Sequence, residues 1–183
     1  TIPIKEALSP LREGYQSGLE TGDLEYAALC ILIYCKYNLF FDRNLGSVEQ
    51  EIAGYSAAMQ KLKQERHFYA NEMYRQVVLN LIGQAKDSTR LIGEAYNEEE
   101  MIPLVLETND KSALHLIHAF KSRLSYLFQA YPQAFKNIII AEKYLEGVRG
   151  SITVPLFYFY DSLIRLALYD SNEESNKKHT LKK

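Results

Sequence analysis

A two-residue joint, Gly22-Asp23, separates two long runs of helix-forming residues and constrains the fold more than any other feature of the chain. Glycine just past a helix end takes the left-handed conformation without steric strain. Aspartate at the next N-cap accepts the amides that a helix start leaves unpaired, and Glu25 complements the positive end of the helix dipole. So short a joint folds the second helix back along the first. The local unit is an antiparallel helical hairpin.

Helical periodicity runs through the rest of the chain, with no sustained strand-like alternation. It predicts helices near Ile4–Thr21, Leu24–Phe41, Val48–Arg66, Phe68–Gln84, Glu98–Glu107, Lys111–Gln129, Pro132–Glu146 and Val154–Asp170. Punctuation supports the joints: Asn44-Leu-Gly46-Ser47, Asn109-Asp110, Pro132 in a first turn, and Gly147 with Gly150. Leu24–Phe41 and Val154–Asp170 are apolar nearly all round, the pattern of helices held between neighbours. The stretch Gln84–Asn97 reads as an ordered connector with one short helical turn. The fold class expected is all-α, with about eight helices stacked as antiparallel hairpins into an α-solenoid. Residues 1–170 are expected to form one helical repeat domain, and 171–183 the start of a further, truncated helix.

Composition narrows the function classes. A length of 183 residues with 47% hydrophobic and 24% charged residues suits a folded domain with a sizeable core. The net charge of −2 gives no basic stripe for nucleic acid. Lys177-Lys178 and Lys182-Lys183 stand near Glu173 and Glu174, as on a solvated helix face. The longest uninterrupted apolar run, Ala27 to Cys35, falls short of the ~20 residues of a membrane span. The opening residues do not resemble a signal peptide. Cys30 and Cys35 lie on one helix about 140° apart, so buried thiols in a reducing cytoplasm are expected.

The motifs of catalysis are missing. The chain has no phosphate-binding loop, nucleophile elbow, Gly-x-Gly-x-x-Gly or Cys-x-x-Cys. His115 and His118 share a helix face but lack an evident third metal ligand, and a partly exposed polar stripe is the simpler account. Glu98-Glu-Glu100 opens a helix, where dipole complementation explains it. No cofactor or metal is therefore expected, and a stand-alone enzyme is the least favoured class. The 14 tyrosines serve either as core residues with a wet edge or as a ligand-stacking surface. One candidate partner-binding face combines Tyr158, Asp161 and Arg165 on the last helix with Arg123 and Tyr126 on an earlier one. The simpler account of Asp161 and Arg165 is a solvent-exposed i,i+4 pair.

Two resemblances sharpen the expectation. In Ala130-Tyr-Pro-Gln-Ala-Phe-Lys-Asn-Ile-Ile-Ile-Ala141, Tyr131, Ala134, Ile138 and Ala141 fall where the second half of a tetratricopeptide repeat places aromatic, small, bulky and small residues. Longer segments resemble one region of very large signalling proteins common in cyanobacteria. They are Gly14-Tyr-Gln-Ser-Gly-Leu-Glu-Thr-Gly-Asp-Leu-Glu-Tyr-Ala27, Arg75-Gln-Val-Val-Leu-Asn-Leu81 and Arg90-Leu-Ile-Gly-Glu-Ala-Tyr-Asn-Glu-Glu-Glu-Met101. Ala141-Glu-Lys-Tyr-Leu-Glu-Gly147 and Pro155-Leu-Phe-Tyr-Phe-Tyr-Asp-Ser-Leu-Ile-Arg-Leu-Ala-Leu-Tyr169 complete the set. Those proteins join a serine/threonine kinase-like domain, an AAA-type ATPase module, a helical stretch, a GAF domain and a sensor histidine kinase. The resemblance implies the helical stretch between ATPase and GAF, and none of the catalytic motifs of that family maps onto this chain.

The expected function is a non-enzymatic scaffold that relays signal between neighbouring modules or docks a regulatory protein. Its partners would be protein, with no nucleic acid and no membrane, and its location cytoplasmic. A small-molecule-sensing domain and a homodimerisation module are the alternatives.

Overall fold

The computed structural model describes the backbone of residues 4–41 and 44–180, and the side chains of 6–41 and 44–169. Among these residues the chain is all-α, with eight α-helices and one 3₁₀ turn. The helices are α1 (Ile4–Thr21), α2 (Leu24–Phe41), α3 (Leu45–Lys61), α4 (Glu65–Leu81), α5 (Glu98–Glu107), α6 (Lys111–Leu127), α7 (Tyr131–Lys143) and α8 (Thr153–Thr180). The 3₁₀ turn, Leu145–Val148, follows α7.

Local chemistry explains most of the boundaries. At the first joint Gly22 takes a φ of 81°, and Asp23 Oδ1 accepts the Tyr26 amide at 3.1 Å. Asn44 caps α3 by accepting from Ser47 N, which starts that helix three residues ahead of the expected Val48. Asp110 caps α6 in the same way, accepting from Ala113 N at 3.0 Å. Four helix ends close with an amide bonded five residues back: Gln64 to Met59, Gln84 to Leu79, Asp110 to Val105 and Ala130 to Ser125. That closure needs a left-handed residue just before the donor. Gly83 supplies it once, but Lys63, Asn109 and Gln129 supply it at φ of 56°, 50° and 61°. Lys63 and Gln129 give no sequence cue, so α3 and α6 end earlier than periodicity suggests.

Two compact units emerge, where the sequence suggests one domain over 1–170. The first comprises Thr1–Lys86 with Ile92–Asn97, the second Asp87–Leu91 with Glu98–Lys183. The physical reason is that each has its own core, and the connector between α4 and α5 is divided between them. In the first unit α2 is the central element, packed by α1, α3 and α4. Its Ala27, Ala28, Ile31 and Cys35 are all essentially inaccessible to solvent. By length and composition alone α2 could cross a bilayer, a match that the nine-residue apolar run does not suggest. Its burial among three helices is that of a core helix. Close approach to α1 requires Gly14 and Gly18, since a Cβ at Gly18 would lie 2.8 Å from Ala27 Cβ and 2.9 Å from Asp23 O.

In the second unit Ala134, Ile138 and Ala141 of α7 form a core with Phe157 and Ile164 of α8. The small–bulky–small spacing thus faces inward, as expected. α8 continues through Ser171 to Thr180, where a new helix is expected from 171. The reason is local: after Pro155 no Gly or Pro interrupts it. Leu181 to Lys183 lie outside the described residues.

Candidate functional site

The second unit does not bring the five candidate residues together: the two on α6 meet one edge of α8, and Asp161 and Arg165 lie on its other edge. Arg123 and Tyr126 are three apart on α6 and so share a face. Both meet Tyr160: the Arg123 guanidinium lies 5.5 Å from the ring centroid, and the Tyr126 ring packs edge-on at 5.9 Å. Tyr131 extends this seam, its ring 5.8 Å from that of Tyr126. All four side chains are half-buried. Planar cations over ring faces and edge-to-face rings each add on the order of 0.5–1 kcal/mol beyond buried area.

Asp161 and Arg165 lie on the other edge. Arg165 Nε donates to both carboxylate oxygens of Asp161, at 2.8 and 3.0 Å. Its guanidinium also sits 5.4 Å from the centroid of Phe135 on α7. Tyr158 is exposed, with its ring beside that of Phe157. The divergence follows from helix geometry, because each residue advances about 100°. Tyr160 faces α6 while Asp161 and Arg165 turn toward α7. Sequence reasoning missed Tyr160, Tyr131 and Phe135. The usable signal is that Phe157, Tyr160 and Ile164 form an inward i,i+3,i+7 stripe, with Tyr160 at its edge.

The side chains that resemble catalytic groups have structural partners. The Nδ1–H of His115 donates to the Ala141 carbonyl at 2.9 Å, and the ring lies 5.6 Å from Phe157. His118 Nδ1 donates to Asn137 Oδ1 at 3.1 Å, while Asn137 Nδ2 donates to Gln133 O. Burial lowers the affinity of both imidazoles for a proton. Glu98, 3% exposed, does more than complement a helix dipole. Its Oε2 accepts from Leu91 N at 2.9 Å and its Oε1 from Lys121 Nζ at 2.8 Å. Arg90, at the base of the connector, pairs with Glu99 at 2.7 Å. Among the described residues, no cluster of three His, Cys, Asp or Glu side chains has the geometry of a metal site.

In the first unit three tyrosines from three helices meet. Tyr55 packs edge-on against Tyr15 at 5.7 Å and Tyr34 at 5.9 Å. Tyr34 OH donates to Glu51 Oε1 at 2.9 Å, and Asn38 Nδ2 to Glu51 Oε2 at 2.8 Å. Arg12 lies 5.9 Å from the Tyr34 centroid. The cores of both units thus use tyrosine as a packing group with a polar edge.

Comparison with protein-family models, with curated proteins and with solved structures gives no significant match.

Proposed function

We propose that the chain is a non-enzymatic, protein-binding helical scaffold, part of a larger signalling protein. There it passes state between an ATPase module and a GAF and histidine-kinase half, or docks a regulatory protein. The observation that carries this reading is the half-buried Arg123–Tyr126–Tyr160–Tyr131 seam. Tyrosine and arginine are the residue types that dominate protein-binding hot spots, because they offer large contact area with polar ends. The histidines and Glu98, by contrast, are occupied in holding helices and connector together. Stacking of the hairpins as a tetratricopeptide-like solenoid, and a cytoplasmic location, belong to the same proposal. Such stacks can change curvature when one end is biased.

A small-molecule sensor would draw on the Tyr15, Tyr34 and Tyr55 cluster. Those rings already pack against one another, which favours the scaffold.

The test is calorimetric titration of this chain with the adjoining ATPase module, in ATP and in ADP. A nucleotide-dependent affinity supports the relay, and the ratio gives the coupling free energy. Equal or absent binding overturns it. Tyr126→Ala and Arg123→Ala are expected to weaken any binding tenfold or more, and unchanged affinity in both removes the seam as the contact surface.

A further inference from the structure

Among the described residues, four of the five most exposed large apolar side chains lie on α8: Tyr158, Phe159, Leu166 and Tyr169, each 54–64% exposed. With Ser162 they occupy one sector of the helix about 100° wide. It lies roughly opposite the side that carries the buried Phe157 and Ile164 and the half-buried Leu168. At this exposure the four present about 450 Å² of side-chain surface, given ~150–250 Å² for a fully buried aromatic. That is near the upper end of what a monomer leaves in one patch, and about half of one side of a stable interface of ~800 Å².

The arrangement along the sector is self-complementary. Phe159 and Leu166 stand equally far from the point between Ser162 and Leu163, with the small Ser162 between them. Ser162 Oγ already donates to the Tyr158 carbonyl at 2.9 Å, so covering it strands no donor. Asp161 and Arg165 sit at the margin and are paired with each other, so neither brings an unpaired charge into the patch. The hydroxyls of Tyr158 and Tyr169 can stay wet at the rim.

We propose that this face of α8 is a self-association surface, on which a second copy of the chain packs its own α8 antiparallel about a two-fold axis. The axis passes between Ser162 and Leu163. Phe159 of each copy then rests on Leu166 of the other, and the two helices approach most closely over Ser162. A two-fold contact is the one that a single self-complementary patch closes without forming a filament. The opposed helix dipoles favour the antiparallel sense.

The test is sedimentation equilibrium of the whole chain, with Phe159→Glu, Leu166→Glu and, as an equally exposed control outside the patch, Tyr26→Glu. The expected result is a dimer for the parent and for Tyr26→Glu, and at least a tenfold weaker association for the two patch variants. A second, conservative variant avoids reliance on introduced charge. Ser162→Cys should form a covalent dimer on mild oxidation, whereas the parent, whose Cys30 and Cys35 are buried, should not. A monomeric parent at ~100 μM, patch variants that stay dimeric, or no cross-link through Cys at 162 each overturns the proposal. A monomer would leave the scaffold function standing, since that rests on the α6 edge of α8.

Discussion

Lys63 and Gln129 hold left-handed backbone at φ of 56° and 61° with ordinary side chains, a conformation that costs L-residues about 1–2 kcal/mol. Glycine removes that strain but has more freedom to lose on folding. Lys63→Gly and Gln129→Gly are therefore each expected to stabilise the protein by about 0.5–1 kcal/mol, measured by urea denaturation. The reverse change, Gly83→Ala, should destabilise by about as much, because Gly83 holds φ 80° at the same kind of helix end. The buried histidines make stability pH-dependent. Burial lowers the proton affinity of His67, His115 and His118 below the ordinary pKa of 6.5. The unfolded chain therefore takes up protons first, and stability falls as pH drops below about 6.5 toward the lower folded values. His115 is the sharpest case, since its Nε2 is buried without a partner beside Phe157. Denaturation midpoints between pH 7 and 5 should fall, and His115→Gln, which can still donate to Ala141, should flatten the dependence.

At the scale of the element, one substitution has opposite signs in two helices of the first unit. Gly54 lies mid-helix in α3, exposed and with open space around its missing Cβ. Gly54→Ala is expected to stabilise by about 0.5–1 kcal/mol through helix propensity alone. Gly18 in α1 has the α2 backbone where its Cβ would go. Gly18→Ala should cost about 1–3 kcal/mol despite the better helix former, and thermal melts of the two variants should shift in opposite directions. The bounds of α1, α2 and α5 follow from the sequence because capping side chains or bounding turns mark them. The end of α3 does not, because Lys63 does the work of a glycine while looking like any exposed lysine.

For the whole molecule, the two-unit organisation turns on the connector that periodicity reads as an exception. Within the first unit its tip is held by Gln76, whose Oε1 accepts from Ala95 N at 3.0 Å and Tyr96 N at 3.3 Å. Gln76 is fully buried, and a Cβ at Gly93 would meet its amide at 2.5 Å. Within the second unit Leu91, fully buried, and Glu98 fix the base of the connector. Local signals along the chain do not carry this, because Gln76 and Glu98 look like ordinary helix-surface residues until their long-range partners are known. Ile164, fully buried in the α7–α8 core, tests how far the second unit depends on that core. Ile164→Ala should cost about 2–5 kcal/mol and lower hydrogen-exchange protection at Leu124, buried in the last turn of α6, by two or more powers of ten.

The sequence by itself determined the helical class, the hairpin at Gly22-Asp23, and the inward spacing of Ala134, Ile138 and Ala141. These are properties of near neighbours along the chain, where helix period and capping chemistry act. It placed His115 on a partly exposed stripe, whereas the fold buries it completely. Only the tertiary structure decided that Arg123 and Tyr126 meet Tyr160 while Arg165 turns to Phe135 on α7. It also decided that Glu98 ties Leu91 to Lys121, and which three helices, α1, α3 and α4, enclose α2. A side chain's partner depends on rotation about a helix axis and on which helix arrives there, and residues far apart in sequence set both.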